Sequence, residues 1–504
     1  MAGDPQPDIG LRTPAGRWVL FATVLGTSMA FLDATVVNIA LPTIGEDLDA
    51  GLTELQWTVN AYTLALAALL LLGGSLGDRF GRRRIFCVGA AWFAAASLLC
   101  GLAPTSGFLI AARALQGVGA AMLTPGSLAI IESSFRREDR GAAVGAWSGL
   151  GGIAGAAGPF VGGYFVQAVS WRLIFLINLP IAAAVLWVAN RHVPETRNEA
   201  MRSTPLDLRG AALTALGLAA ATFGLTAGAD RGWDSALVLG ALLVGAGCLA
   251  LFIVLERRLR WPLVPLDLFE SRQFTAANAV TFVVYGALGA ALFLLPIQLQ
   301  TTAGYSPLQA GAALVPMTFV MLLLSARAGR LAQRIGPRVP MTVGPVVAGC
   351  GLALLGTIGA SAPYVSAVLP GVLLFALGLS LTVAPLTSTV LQAGGDEHAG
   401  VSSAINNAVA RTAGLIAVAV IPAAAGISTG TLEGSSFAAG FSQGMWIAAG
   451  LCMAGGVLSA VTIRDPWRAA GDQDEPCRSC PLDAPPLRSH AHPPLEPAAD
   501  PLLP

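Results

Sequence analysis

Long apolar runs alternate with short polar segments along almost the whole chain. A helix needs about 20 consecutive apolar residues to cross the hydrocarbon core of a bilayer. Runs of that length predict an all-α membrane protein with fourteen transmembrane helices. In chain order, the runs cover residues 18–41, 56–76, 85–103, 106–131, 141–166, 172–190, 209–228, 235–255, 275–299, 307–328, 339–359, 364–391, 400–425 and 439–462.

Two longer polar segments divide these runs into groups. One lies between Arg191 and Arg209 and the other between Glu256 and Phe274, and the two runs between them carry no charge at membrane depth. This spacing predicts two six-helix bundles with an inserted two-helix hairpin. The end of the chain is rich in Pro, Asp and Glu and is predicted to be disordered. We expect a cytoplasmic N-terminus (1–17), an N-terminal bundle (18–190), a linker with two extra helices (191–273), a C-terminal bundle (274–463) and a cytoplasmic tail (464–504).

The composition agrees with a membrane protein, with 55% hydrophobic residues, 12% charged residues and a mean hydropathy of +0.68. All 29 basic residues are arginines, and a topology with the N-terminus inside places 25 of them on the cytoplasmic side. Arg172 and Arg231 then lie outside, while Arg113 and Arg411 lie within the membrane. Because basic residues are retained at the cytoplasmic face, we expect a multi-pass protein of the cell membrane with both termini in the cytoplasm.

A loop rich in glycine and arginine joins the second and third runs at residues 74–84, and a weaker copy occupies residues 329–338. Two related turns in the two halves of an apolar chain indicate a duplicated bundle.

Five further segments carry distinctive residue patterns, namely 31–42 (FLDATVVNIALP), 113–119 (RALQGVG), 158–163 (GPFVGG), 171–180 (WR followed by FLINLP) and 304–311 (GYSP followed by Gly311). With the loop, they resemble the major facilitator superfamily, specifically its fourteen-helix drug/proton antiporter branch. The resemblance covers residues 18–463 and implies two six-helix bundles of major facilitator type. One departure is Ala154, where the motif of the fifth run usually has glycine.

Asp33 is the only carboxylate deep within any of the fourteen runs. A charge at that depth costs about 3 kcal/mol on insertion scales and marks a functional site by default. At about 1.5 Å per residue, Asp33 lies about 12 Å below the outer end of its helix and Arg113 about 10 Å below the outer end of the fourth. The two can therefore pair. We expect Asp33 to exchange a proton for substrate while Arg113 sets its proton affinity; the alternative is a purely structural pair.

Two motifs are expected to act in conformational change. The loop is predicted to hold ion pairs that form in one conformation of the transporter and break in the other. The alternative is that its arginines only anchor the loop at the cytoplasmic face. The residues of this gating loop are Gly77, Asp78, Arg79, Gly81 and Arg82.

The motif of the fifth run is predicted to form a tight seam between the two halves, because small residues allow helices to approach closely and proline favours a bend. Ordinary small-residue packing is the alternative. The residues of this antiporter motif are Gly158, Pro159, Gly162 and Gly163.

Polar side chains in apolar runs predict a substrate cavity dotted with polar groups. Arg411 lies near mid-membrane and needs a partner or water, and no carboxylate lies at depth in the second half. Relatives in the resembled branch that export dications often carry carboxylates in their later helices, so the resemblance implies a neutral, singly charged or anionic substrate here. The candidate cavity residues are Asn38, Tyr62, Gln116, Tyr285, Gln298, Asn406, Asn407 and Arg411.

The resemblance implies a proton-coupled antiporter that exports hydrophobic drugs or antibiotics by alternating access and confers resistance, without enzymatic activity. The expected partners are a small hydrophobic substrate, protons and the bilayer, with no nucleic acid, and the chain is expected to be a monomer. No cofactor is expected beyond the proton gradient, because the sequence has no GxxxxGK[ST] loop. No metal is expected, since the tail residues Cys477, Cys480, His490 and His492 have no recognised ligand spacing. The alternatives are a nutrient symporter, a lipid flippase on the same fold and a membrane enzyme acting on lipid.

Overall fold

The computed structural model describes residues 9–197, 206–259, 262–395, 399–427 and 435–465. Within these ranges fourteen helices are long and apolar enough to cross a membrane, which confirms the predicted all-α membrane fold. The four Cys and His residues of the predicted tail lie outside the described residues.

The fourteen helices fall into three groups along the chain. The helices of the first half are α1 (Pro14–Leu48), α2 (Leu52–Phe80), α3 (Arg82–Gly101), α4 (Ser106–Ser134), α5 (Arg137–Ala168) and α6 (Leu173–His192). The inserted hairpin consists of α7 (Leu208–Arg231) and α8 (Ala236–Glu256). The helices of the second half are α9 (Arg272–Thr301), α10 (Pro307–Ile335), α11 (Arg338–Leu355), α12 (Tyr364–Gly394), α13 (Ala399–Ala424) and α14 (Ser435–Thr462).

Several helices extend beyond the apolar runs that predict them. The run of α1 starts at residue 18 and ends at residue 41, but the helix begins at Pro14, because the Thr13 side chain caps it by accepting a hydrogen bond from the Gly16 amide at 3.1 Å. Its other end lies at Asp49, whose φ of +49° turns the chain out of the helix. Capping groups therefore set the ends, whereas hydropathy reports only the part that suits lipid.

Helix α10 is interrupted near its start. It consists of Pro307–Ala313 and Val315–Ile335, and Ser306 begins the first segment with a capping box completed by Gln309. The interruption coincides with Pro316, which has no amide hydrogen to donate to the preceding turn.

The same helix pairs meet in both halves. In the N-terminal bundle, α1 packs against α5, α4 against α2 and α3, and α3 against α6; in the C-terminal bundle, α9 packs against α13, α12 against α10 and α11, and α11 against α14. This repeat supports the duplication that the sequence predicts. Helices α7 and α8 pack against each other, and α7 also touches α2 and α13.

The described hydrogen bonds between the two bundles lie at one end of the molecule. The α2–α3 and α10–α11 loops define an arginine-rich end, and the interbundle hydrogen bonds lie toward the opposite, arginine-poor end. Gln56 Nε2 donates to the Val418 carbonyl at 2.8 Å, and Gln300 Nε2 donates to the Ile39 carbonyl at 2.9 Å. Toward the arginine-rich end, a β-carbon added at Gly149 of α5 would have open space around it. The bundles are therefore joined by hydrogen bonds at the arginine-poor end, and a cavity lies between them toward the arginine-rich end.

Candidate functional site

An ion pair between Asp33 of α1 and Arg113 of α4 lies inside the N-terminal bundle. The Asp33 side chain is 0% exposed and that of Arg113 1% exposed, and Nη1 of Arg113 contacts Oδ2 of Asp33. The structure thus brings together the two charges that the sequence places at one depth. Removing one partner of such a buried pair costs about 3–5 kcal/mol, because the other charge remains without compensation.

Amide and hydroxyl groups satisfy the other oxygen of Asp33. Oδ1 accepts hydrogen bonds from Gln116 Nε2 at 2.8 Å and from Asn178 Nδ2 at 3.4 Å. Both amides also donate to Ser97 Oγ, at 2.6 Å and 3.1 Å. The network therefore ties together α1, α3, α4 and α6. Sequence reasoning missed Ser97 and Asn178 as site residues, although Asn178 stands as the single amide side chain in the FLINLP segment.

Arg113 has further partners that fix its orientation. Its Nε donates to the Thr58 carbonyl at 3.1 Å, and its Nη1 donates to Gln116 Oε1 at 2.7 Å. The guanidinium also lies over the Tyr62 ring, 4.3 Å from its centroid, in a cation–π contact. The cation therefore retains neutral partners if Asp33 becomes protonated, so the pair can dissociate without leaving Arg113 unsatisfied.

A cavity of about 430 Å³ lies between the two bundles, on the other side of α1. Successive helix residues are rotated by about 100°, so Phe31, Thr35 and Asn38, which line the cavity, lie on the face of α1 opposite Asp33. A shift of α1 caused by a change at Asp33 would therefore also move the residues of α1 that line the cavity.

Five of the eight predicted cavity residues line this space, and three do not. The residues at the cavity are Asn38, Tyr285, Asn406, Asn407 and Arg411. Gln116 belongs to the Asp33 network and Tyr62 packs beneath Arg113, with its hydroxyl donating to the Ala30 carbonyl at 3.2 Å. Gln298 is buried elsewhere on α9, and its Nε2 donates to the Ile358 carbonyl at 2.9 Å. Hydropathy marks these side chains as unusual in lipid but does not show which helix face they occupy.

The polar groups of the cavity differ in how well they are satisfied. Asn406 Nδ2 donates to Thr281 Oγ1 at 2.7 Å and to Asn278 Oδ1 at 3.1 Å, which fixes it in the C-terminal bundle. Asn60 of α2, which the sequence does not single out, lines the cavity at 1% exposure, and neither of its amide atoms has a hydrogen-bond partner among the described residues.

A second cavity of about 330 Å³ adjoins the first toward the arginine-rich end. The two cavities share Ser403 and Asn407 among their lining residues, and the second is also lined by Asp78 and Arg82 of the gating loop. The central cavity therefore adjoins a second space on the side of the gating loop.

The gating loop is held within the N-terminal bundle. Asp78 Oδ1 accepts from Arg82 Nε at 2.8 Å, and Arg82 Nη1 donates to the Ala129 carbonyl at 3.3 Å. Gly81 adopts a φ of +112°, a conformation that favours glycine. The backbone amides of Arg83 and Arg84 donate to the Glu195 carboxylate at 3.1 Å and 3.2 Å. Among the other loop residues, Gly77 accepts from the Gly81 amide at 3.0 Å and Arg79 lies over the Phe80 ring.

The antiporter motif of α5 divides between two partners. A β-carbon at Gly158 or Gly162 would meet α1, at Thr35 and Val36. A β-carbon at Gly163 would come within 2.5 Å of the Pro307 carbonyl of α10, and the Pro159 carbonyl in turn faces Gly311. Only part of the motif therefore lies at the seam between the halves; the rest joins α5 to α1 within one bundle.

Residues 23–419 match the family model described as Major Facilitator Superfamily. The chain is 38% identical over 403 residues to the "Methylenomycin A resistance protein" of Streptomyces coelicolor, a match that covers 79% of this chain and 84% of that one. It is 35% identical to the "Puromycin resistance protein pur8" of Streptomyces alboniger, a match that covers 91% of this chain and 93% of that one. It is also 35% identical to the "Multidrug resistance protein Stp" of Mycobacterium tuberculosis, with 80% and 74% covered.

Solved structures share the fold at low sequence identity. A peptide transporter POT in complex with sulfate superposes with a TM-score of 0.64 at 14% identity, covering 90% of this chain and 95% of that one. A D-xylose-proton symporter superposes with a TM-score of 0.63 at 14% identity, covering 89% and 98%.

Proposed function

Since the chain belongs to the Major Facilitator Superfamily, whose members are transporters and not enzymes, we propose that it is a proton-coupled antiporter that exports small hydrophobic drugs or antibiotics across the cell membrane. The names of its relatives as antibiotic and multidrug resistance proteins support this class of substrate. The arginine distribution supports a topology with both termini in the cytoplasm. In that topology the open, arginine-rich end faces the cytoplasm, where an exporter takes up its substrate.

The observation that carries proton coupling is the Asp33–Arg113 pair on the face of α1 opposite the cavity. A proton that reaches Asp33 neutralises the carboxylate and weakens its attraction to Arg113. Because Thr58 and Gln116 still accept hydrogen bonds from Arg113, α1 is then free to shift relative to α4. The cavity face of α1 moves with it, which links proton binding to substrate release.

The gating loop and the antiporter motif serve the same cycle. The bond from Arg82 to the Ala129 carbonyl holds the loop in the N-terminal bundle while the arginine-rich end is open, and Asp78 pairs with Arg82 inside the loop. Closing that end brings the C-terminal bundle toward the loop, where these charges gain new partners. The motif of α5 keeps the arginine-poor end sealed at the same time.

Drug accumulation in efflux-deficient cells tests the proposal. The variants are wild type, Asp33→Asn and, as a matched control, Asp49→Asn, an exposed carboxylate that follows the same helix. Cells are assayed with a drug panel that includes puromycin, with and without a protonophore. We expect the wild type and Asp49→Asn to lower accumulation, and both Asp33→Asn and the protonophore to restore it.

Other outcomes point elsewhere. Full export by Asp33→Asn under a proton gradient would exclude the coupling role of Asp33. Raised accumulation in wild-type cells would favour a nutrient symporter. Phospholipid translocation without any change in drug accumulation would favour a flippase.

A further inference from the structure

The central cavity holds one full charge that the protein does not neutralise. Among its described lining residues Arg411 is the only charged side chain, and no carboxylate stands beside it. Within the described part of the chain, its one hydrogen bond is from Nε to Asn407 Oδ1 at 3.3 Å, and it makes no ion pair. The remaining N–H groups of a guanidinium are therefore available to an acceptor in the cavity.

The other intramembrane arginine shows the contrast. Arg113 is neutralised by Asp33 and held by two further acceptors, all inside the N-terminal bundle. Asp33 lies on the far face of α1 and does not line the cavity. The two arginines are thus not interchangeable: one charge is paired within the protein, and the other lines the central cavity.

Asn60 of α2 and Arg411 of α13 line the same cavity at nearly the same depth. Gln56 of α2 hydrogen-bonds to Val418 of α13, which places these two residues at one level. Asn60 follows Gln56 by four residues along α2. Arg411 precedes Val418 by seven residues along α13. At about 1.5 Å per residue, the two side chains differ in depth by about 4–5 Å.

The amide of Asn60 supplies a second point of attachment. It is 1% exposed, it lines the cavity and both its nitrogen and its oxygen lack partners among the described residues. Buried amides are normally hydrogen-bonded, so an unpartnered amide in the wall of a cavity indicates a ligand with a matching polar group.

The rest of the cavity wall is largely apolar and includes aromatic rings. Phe31 of α1 and both Tyr285 and Phe293 of α9 contribute rings. The volume of about 430 Å³ falls within the range of sites for drug-sized molecules.

We propose that the central cavity selects organic anions. The ligand carries one acidic group, such as a carboxylate, sulfonate or enolate, which binds Arg411, and a ring system that packs on the aromatic wall. A hydroxyl or amide at its other end binds Asn60. The inference rests on the proposed function, because it identifies the substrate class of the same cavity.

Binding of matched probes in detergent, without a proton gradient, tests the inference on the purified full-length protein. The probes are two pairs that share a ring system but differ in charge: fluorescein with rhodamine 123, and 2-naphthoate with 2-naphthylmethylamine. Methyl 2-naphthoate serves as the neutral analogue. We expect each anion to bind at least tenfold more tightly than its cationic counterpart, and the ester to lose that advantage.

Substitutions identify the residue responsible. Arg411→Gln should abolish the preference for anions, whereas Arg411→Lys should retain most of it. Arg209→Gln, an exposed arginine of α7 that does not line the cavity, is the matched control and should bind as the wild type does. Asn60→Leu should lower the affinity for 6-hydroxy-2-naphthoate by about fivefold. The affinity for 2-naphthoate should stay within twofold of its wild-type value.

The result that overturns the inference is the absence of an anion preference in the wild type, including the case in which no anion binds. This comparison requires no variant, so poor folding of Arg411→Gln leaves the test valid. Because no gradient is present, the outcome is independent of proton coupling. Export that survives Asp33→Asn would refute the coupling and leave the anion preference standing.

Discussion

At the scale of single residues, α1 carries two kinds of chemistry on opposite faces. Asp33 faces α3, α4 and α6 and is held by Arg113, Gln116 and Asn178, whereas Asn38 lines the cavity. A single charged residue in an apolar run is visible in the sequence. Helix geometry also predicts that Asp33 and Arg113 lie at similar depths in the membrane and can pair. Ser97 could not be identified in that way, because a serine in an apolar helix normally bonds its own backbone.

The structural part of the ion pair can be separated from its functional part with a double-mutant cycle. Arg113→Gln alone leaves Asp33 buried without its counter-charge, and we expect it to lower the free energy of unfolding by about 3–5 kcal/mol. Adding Asp33→Asn removes the unpaired charge and should recover most of that loss. Unfolding in detergent measures both effects, and transport measures function.

The double variant should therefore be stable and still fail to couple transport to protons. Strictly additive losses of stability in the cycle would show that the two side chains do not interact. Coupled transport by the stable double variant would show that the pair is structural only.

At the scale of elements, the bundles are joined by helices that approach closely enough for backbone contact. Gly163 of α5 lies against Pro307 of α10, and Gly311 of α10 lies against Pro159 of α5. The sequence predicts that the α5 motif packs tightly, because its small residues are evident. It does not show that Gly158 and Gly162 pack on α1 instead, since the direction of a glycine face depends on which helices are neighbours.

Gly163→Ala tests the part of the motif that faces the other bundle. Its β-carbon would come within 2.5 Å of the Pro307 carbonyl, so α5 and α10 would have to separate. We expect normal membrane insertion but a loss of transport of at least tenfold. Gly240→Ala on α8 is the control, because a β-carbon there has open space and alanine favours a helix. Normal transport by Gly163→Ala would show that the close approach at this point is not required.

At the scale of the whole molecule, fourteen helices and a repeated packing pattern follow from physical constraints that the sequence displays. Lipid thickness fixes the length of each apolar run, and related turns in the two halves indicate the duplication. The facing of the molecule could not be predicted in the same way. The inward-facing and outward-facing states bury the same apolar helices. They differ only in the end at which the two bundles are in contact, so they differ little in free energy.

The contact at the arginine-poor end can be trapped to test whether the bundles must separate there. The Leu308 amide of α10 donates to Gln167 Oε1 of α5 at 3.3 Å, so the two positions adjoin each other across the seam. Cysteines at both positions, in a background without the native cysteines, should cross-link readily. Alternating access requires this end to open once per cycle, so the cross-linked protein should bind substrate from the arginine-rich side and cease to turn over.

A reducing agent should restore turnover, and each single-cysteine variant should be unaffected by oxidation. Turnover at the normal rate by the cross-linked protein would mean that substrate leaves without separation of α5 and α10.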